Sequence, residues 1–284
     1  MVANPPCFFP YNAARMDAAE AQARENDWLT LQQAVRTPGV RLVLARFGVP
    51  SPWSEFCRAL FDTKRIEYQR VDGRDPEGSY NALRALSGQD SVPVILIGPE
   101  SPRSSWLEQL YAAERLAPRV PLLPADPSSR ALVIGLTAEL CGEAGFGWSR
   151  RLQMITRLTA PGSHSRDQQI GLYLKFKYGA SNVVEDPQRR CDQIIGMFTE
   201  RMRHQLSYGK GFLFGDRLSA LDLAWAAFAA MIEPLPERQC PMSARWRDLF
   251  RWTPQSVSAN DVQMLLAHRD RIYRQHLSLP VPTS

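Results

Sequence analysis

The chain has 284 residues, 44% of them hydrophobic and 22% charged. That is enough for one large or two modest globular domains with ordinary cores. Its formal net charge is +5, but the Lys and Arg residues are scattered, with Arg150–Arg151 and Arg189–Arg190 the densest spots, so no nucleic-acid partner is expected. No apolar run reaches the length of a membrane span, and the first residues lack the charged start and apolar core of a secretory signal; the expectation is a cytoplasmic chain with no membrane partner.

Five cysteines, Cys7, Cys57, Cys141, Cys191 and Cys240, are odd in number and widely spaced. They argue against a disulfide framework, a zinc site and a dithiol redox motif. The histidines at 164, 204, 268 and 276 show no metal spacing, and no metal is expected.

Residues 1–38 read as an extension, with a helix predicted from Ala18 to Val35 and Pro38-Gly39 closing it. Residues 39–118 alternate strand and helix. Leu42 to Ala45 is an apolar strand, after which Gly48, Pro50 and Pro52 punctuate the chain. Ser51 stands at an N-cap position and Pro52 at the first helical position, where a missing N–H costs nothing. Phe56, Leu60 and Phe61 give the helix its apolar face. A hydroxyl thus sits at the positive end of a helix beyond the carboxyl end of a strand, a place suited to an anion; the plainer alternative is a cap that only satisfies backbone N–H groups.

A second strand is predicted over Ile66 to Val71, a short helix over Tyr80 to Leu86, a strand over Val94 to Ile97 and a helix from Ser104 to Leu116. This order implies a layered α/β domain with a partly parallel sheet. Residues 119–127 carry Pro121, Pro124 and Pro127 and form a stiff linker. Residues 128–284 contain no convincing strand. Helices are predicted over 128–143, 168–176, 187–206, 221–232 and 260–276, giving an all-helical second domain. Glycines flank Phe146 in Gly145-Phe146-Gly147-Trp148 and mark a break between helical segments.

Three segments in this layout resemble the cytosolic glutathione S-transferase family. Ser51-Pro52-Trp53-Ser54 is similar to the S-P-F/W segment of its serine-type plant and bacterial classes. Ser91-Val92-Pro93-Val94-Ile95 resembles its V-P-x-L element, and FLFGDRLSALDL, residues 212–223, resembles its F/Y-L-x-G-D-x-L-S/T-x-A-D-L hallmark. In the last, Ser219 and Asp222 form an S-x-x-D capping pair, so the element organises the fold and performs no chemistry.

The resemblance implies a thioredoxin-like N-terminal domain, an all-α C-terminal domain, glutathione as co-substrate, a small electrophilic second substrate and a homodimer. It implies that Ser51 faces the glutathione sulfur, that the backbone of Val92 before a cis Pro93 pairs with the cysteinyl unit, and that Trp53, Ser104 and Ser105 complete the glutathione site. The family pattern E/D-S-x-x-I-x-x-Y-L aligns with Ser104 to Tyr111, so Ser104 stands where an acid is usual. Loss of that acid removes a charge-assisted hydrogen bond to the glutamyl amine, about 1–2 kcal/mol. Phe146, Trp148 and Arg151 are the expected lining of the second-substrate pocket. The competing expectation is a non-catalytic binding or interaction module on the same fold.

Overall fold

The computed structural model describes residues 28–46, 48–76, 78–179 and 186–281. The chain forms two compact units that divide between Val120 and Pro121, the first also taking in Cys240–Met242.

The first unit is built on a four-stranded sheet: β1 (Trp28–Thr30), β2 (Val40–Leu44), β3 (Gln69–Asp72) and β4 (Val94–Ile97), in the order β1-β3-β2-β4. β3 runs parallel to both β1 and β2, and β4 is antiparallel to β2, with Val43 opposite Val94. Its helices are α1 (Leu31–Arg36), α2 (Pro52–Thr63), α3 (Asn81–Ser87) and α4 (Trp106–Leu116). Side chains alternate across the pleat. Val43, Val71, Val94 and Leu96 share one core with Leu31 and Ala34 of α1 and Leu83 of α3. Leu42 and Ile95 point the other way and are fully buried, as are Phe56 and Leu60 of α2 and Leu110 of α4; α2 and α4 pack against each other.

The segment before residue 39 departs from expectation. Residues 1–27 of the predicted extension lie outside the described residues. Of the predicted 18–35 helix, Trp28–Thr30 is instead an edge strand on β3, and the helix is only Leu31–Arg36. Thr30 opens that helix by a capping box, taking the Gln33 N–H while Gln33 accepts from the Thr30 N–H. The aromatic, aliphatic and β-branched triplet preceding it suits a strand and pairs along the open edge of β3.

The second unit contains α5 (Pro127–Cys141), α6 (Phe146–Leu158), α7 (Ser165–Lys177), α8 (Pro187–Ser207), α9 (Ala220–Phe228, continued by a 3₁₀ turn at Ala229–Met231), α10 (Ala244–Phe250) and α11 (Ala259–His276). α5 packs on α9, α6 on α7 and α8, and α9 on α11. The break before α6 falls at Gly145, where a Cβ would lie 2.8–3.0 Å from the carbonyls of Glu139, Ala138 and Gly142. Phe146, Trp148 and Arg151, expected beside a break, lie on the first turns of a regular helix. The architecture is therefore the expected one: a mixed sheet with helices, followed by an all-α bundle.

Buried polar anchors hold the bundle. Asp222 is fully buried near the start of α9. Its Oδ2 accepts from the Ser219 N–H at 2.9 Å and the Ser219 hydroxyl at 2.7 Å; its Oδ1 accepts from the Leu213 N–H at 2.8 Å and faces His268 Nε2 at 2.9 Å. Arg271 donates to His268 Nδ1 at 2.9 Å. A guanidinium can only donate, so Nδ1 accepts and Nε2 carries the proton given to Asp222. The 212–223 segment thereby ties a turn, a helix start and α11 into one network.

Candidate functional site

The first unit gathers its candidate residues at one end of the sheet. β2 ends at Leu44, and the Ala45 N–H donates to Ser54 Oγ at 3.1 Å, which fastens the strand exit to the helix that follows. Ser51 has extended backbone angles and its carbonyl accepts the Glu55 N–H at 2.8 Å, opening α2. Its side chain makes no cap hydrogen bond. The plain capping role is therefore not the one this hydroxyl performs, and it remains at the positive end of a 12-residue helix.

Behind Ser51 the start of α2 carries a buried charged pair. Glu55 and Arg58 are both buried and paired twice, at 2.6 and 3.0 Å, and Arg58 also reaches Asp62. Burial alone would lower the Arg58 pKa, but Glu55 holds it above its ordinary value. The pair cancels a carboxylate that would otherwise oppose an anion at this helix end. A small cavity of about 20 Å³ lies against Ser51, Ser54, Glu55 and Arg58, with Trp28 and Arg70 on its wall; it has room for about one water. Two guanidinium groups lie against the Trp28 ring, Arg46 at 5.6 Å and Arg70 at 5.5 Å from its centre.

The Val92–Pro93 peptide bond is cis. Val92 stands before β4, outside its register with β2. Because Val43 pairs with Val94 antiparallel, this turn lies at the end where β2 exits toward Ser51. Gly73, after β3, is pressed into the same corner: a Cβ there would stand 2.8 Å from Val43 Cγ1 and 3.1 Å from Val92 Cγ1. The buried Gln109 of α4 donates to the Pro93 carbonyl at 2.9 Å.

Arg103 pairs antiparallel with Ile95, two backbone bonds of 2.9 Å, and so turns the chain back toward Pro93 before α4 begins. Ser104 and Ser105 follow at that end. Ser105 caps α4: its hydroxyl accepts the Glu108 N–H at 3.2 Å, and the Glu108 carboxylate accepts the Ser105 N–H at 3.1 Å. The backbone N–H groups of Ser105 and Ser104 hold the Glu108 carboxyl below its ordinary range. Glu108, absent from the expected site, thus occupies the start of α4, and S-x-x-E was its signal. Glu100, the other acid nearby, is engaged by Arg103 at 3.1 Å and Arg115 at 2.7 Å.

Ser51, Val92, Pro93, Ser104 and Ser105 are therefore brought to one end of the sheet, and Trp53 lies half-buried on the first turn of α2. Phe146, Trp148 and Arg151 belong to the second unit. Phe146 is fully buried, edge-on to Trp252 at 5.8 Å; Trp148 lies edge-on to Tyr178 at 4.8 Å; Arg151 covers the Phe250 ring at 5.3 Å. Cys57, Cys141, Cys191 and Cys240 are buried. Burial drives Cys57 and Cys141 well up and pushes Cys191 up to about 12, so these thiols are inert at neutral pH. Among the described residues no group of three His, Cys, Asp or Glu is placed to hold a metal ion, and no helix is long and apolar enough to cross a membrane.

Neither a protein-family profile nor a curated sequence matches the chain. Solved structures do. A glutathione S-transferase from Methylobacillus flagellatus KT with glutathione bound superposes with a TM-score of 0.55 at 12% identity, over 84% of this chain and 96% of that one. A glutathione S-transferase from Methylobacterium radiotolerans in complex with glutathione sulfonate gives 0.54 at 16% identity, over 83% and 91%. Glutathione transferase Omega 3C from Trametes versicolor gives 0.53 at 14%, over 90% and 86%. The fold is that of the glutathione transferases.

Proposed function

We propose that this protein is a glutathione-dependent enzyme in which Ser51 holds the glutathione thiol as a thiolate for attack on a small electrophile. The observation that carries the reading is the Ser51 hydroxyl: it heads α2, beside the cis Val92–Pro93 turn, and the helix does not use it as a cap. A thiolate seated there accepts a hydrogen bond from that hydroxyl and faces the positive end of α2, and both favour the charged form. Activation is by lowering the thiol pKa, with no base required to take the proton. The anion then displaces a leaving group or adds to an electrophilic carbon, and the new bond is carbon–sulfur.

The other residues hold the tripeptide in this reading. The Val92 backbone, outside the sheet register, pairs with the cysteinyl backbone as an added strand. Trp53 flanks the peptide, and Ser104 and Ser105 receive the γ-glutamyl end. Homodimer assembly and a cytoplasmic setting belong to the same reading. The three structural relatives are named as glutathione transferases, one with glutathione and one with glutathione sulfonate, which supports the choice of thiol.

One observation favours a second reading, a binding module without turnover. Glu108 already fills the start of α4, and a ligand carboxylate must displace it. Steady-state conjugation of glutathione to an activated aryl halide separates the two. Turnover that falls about 100-fold in Ser51→Ala with an unchanged melting curve supports the enzyme. Turnover equal in wild type and variant removes Ser51 from the chemistry, and none in the wild type favours the module.

A further inference from the structure

The second unit holds a cavity of about 580 Å³ walled by α6, the start of α8 and the segment after α10, within the size range of small-molecule sites. Its charges are unevenly matched. Arg150 is 2% exposed and donates to the carbonyls of Met231 at 2.9 Å, Phe250 at 3.2 Å and Arg251 at 3.4 Å, and to the Gln153 amide oxygen. Among the described residues no carboxylate bonds it. The chain of bonds runs on from Gln153 to Gln188 and only then to Asp192, two amides away. A buried cation met only by neutral oxygens is costly, and burial pulls Arg150 down to about 10, with Arg151 and Arg157 adding to the effect.

The acids on the wall are already committed. Asp248 pairs with Arg157 at 2.5 Å, and Asp186 accepts the Gln188 N–H at 3.0 Å as the cap of α8. Arg251, exposed at the rim, directs its guanidinium at no partner among the described residues. Trp252, next to Arg251 in the chain, lines the same cavity as both guanidinium groups. Its Nε1 donates to Gln188 at 2.7 Å, Arg150 lies 5.5 Å from its ring centre, and its half-exposed ring lines the cavity. The indole is fixed in orientation and presents an apolar surface beside an excess of positive charge.

We infer that this cavity is a binding site for a small aromatic carboxylate, its ring against Trp252 and its anion between Arg150 and Arg251. A carboxylate there supplies the charge Arg150 lacks and gives Arg251 a charge-assisted partner. The site lies wholly in the helical unit and does not depend on the glutathione reading.

Calorimetry on the full chain near pH 7 tests it with 2-naphthoate, its neutral isostere 2-naphthamide and inorganic phosphate. The expected result is saturable 2-naphthoate binding, with the amide and phosphate at least tenfold weaker. Arg251→Gln weakens 2-naphthoate about tenfold, and Ser51→Ala leaves it unchanged. Arg150→Met abolishes binding if it folds; Arg251→Gln, at the exposed rim, keeps the test open if it does not. No 2-naphthoate binding, equal affinity for acid and amide, phosphate binding as tight as 2-naphthoate, or an Arg251→Gln variant with wild-type affinity would each overturn the assignment.

Discussion

Ser51 and Ser219 both stand at N-cap positions, one before α2 and the other before α9. The hydroxyl of Ser219 is consumed by the buried Asp222, which also takes its N–H. That of Ser51 makes no cap bond, and the acid four residues on, Glu55, is turned away to Arg58. The contrast shows what converts a structural serine into a candidate for chemistry: the fate of the neighbouring carboxylate. Where the acid returns to the helix start, the positive end is spent on the fold. Where a buried arginine takes the acid, the end stays open to an anion.

The largest expected effect is at the consumed end. Asp222→Ala removes the acceptor of three donors and the partner of His268, and should cost about 3–5 kcal/mol of stability in urea unfolding. A loss below about 1 kcal/mol would show that the network adds little. Next comes the matched pair of serine substitutions. Ser219→Ala should cost about 1 kcal/mol, while Ser51→Ala should change stability by less than about 0.5 kcal/mol and act on thiol chemistry instead. Equal stability losses at the two sites would erase the contrast.

A third serine sharpens it. Ser105 shares the start of α4 with Glu108, so this end resembles that of Ser219, although it faces the candidate site. Glu108→Gln should strengthen glutathione binding about threefold to tenfold, by removing a negative charge where the γ-glutamyl carboxylate would sit; weaker binding in the variant would show that Glu108 assists the ligand. The smallest effect is on pH. Because Glu108 titrates below its ordinary value when folded, the stability it contributes is present above the unfolded carboxyl pKa and lost as pH falls through the lowered one. Glu108→Gln should therefore lower stability slightly near neutrality, with the difference from the wild type vanishing as pH falls through that acidic window. An unchanged acid limb would show that the cap adds nothing measurable.

Much of the fold was legible because its signals are local. The apolar runs at Leu42 and Val94, Pro52 at the first turn of α2 and the S-x-x-D pair at Ser219 each encode an element within a few residues. β1 was missed because three residues on a sheet edge carry no periodicity, and their strand state comes from pairing with β3. α6 was missed because it begins at Gly145-Phe146 without a polar cap, held instead by close packing against Ala138 and Gly142. At the site, Ser51, Val92 and Pro93 were legible through the resemblance. The Glu55–Arg58 pair was not, since i,i+3 opposite charges ordinarily mark a solvated helix face and only the packed structure shows them buried. The unmatched Arg150 was invisible for the same reason: a missing partner is a property of three-dimensional surroundings.

The central claim is that the open end at Ser51 ionises a thiol. Its most direct test is titration calorimetry of glutathione against the wild type and Ser51→Ala, near neutral pH, in two buffers of different ionisation enthalpy. The difference between buffers gives the protons released on binding. The expected result is a release approaching one proton for the wild type and a clearly smaller release for Ser51→Ala, with both proteins binding. Equal proton release from the two proteins, or no binding to the wild type, would contradict the claim.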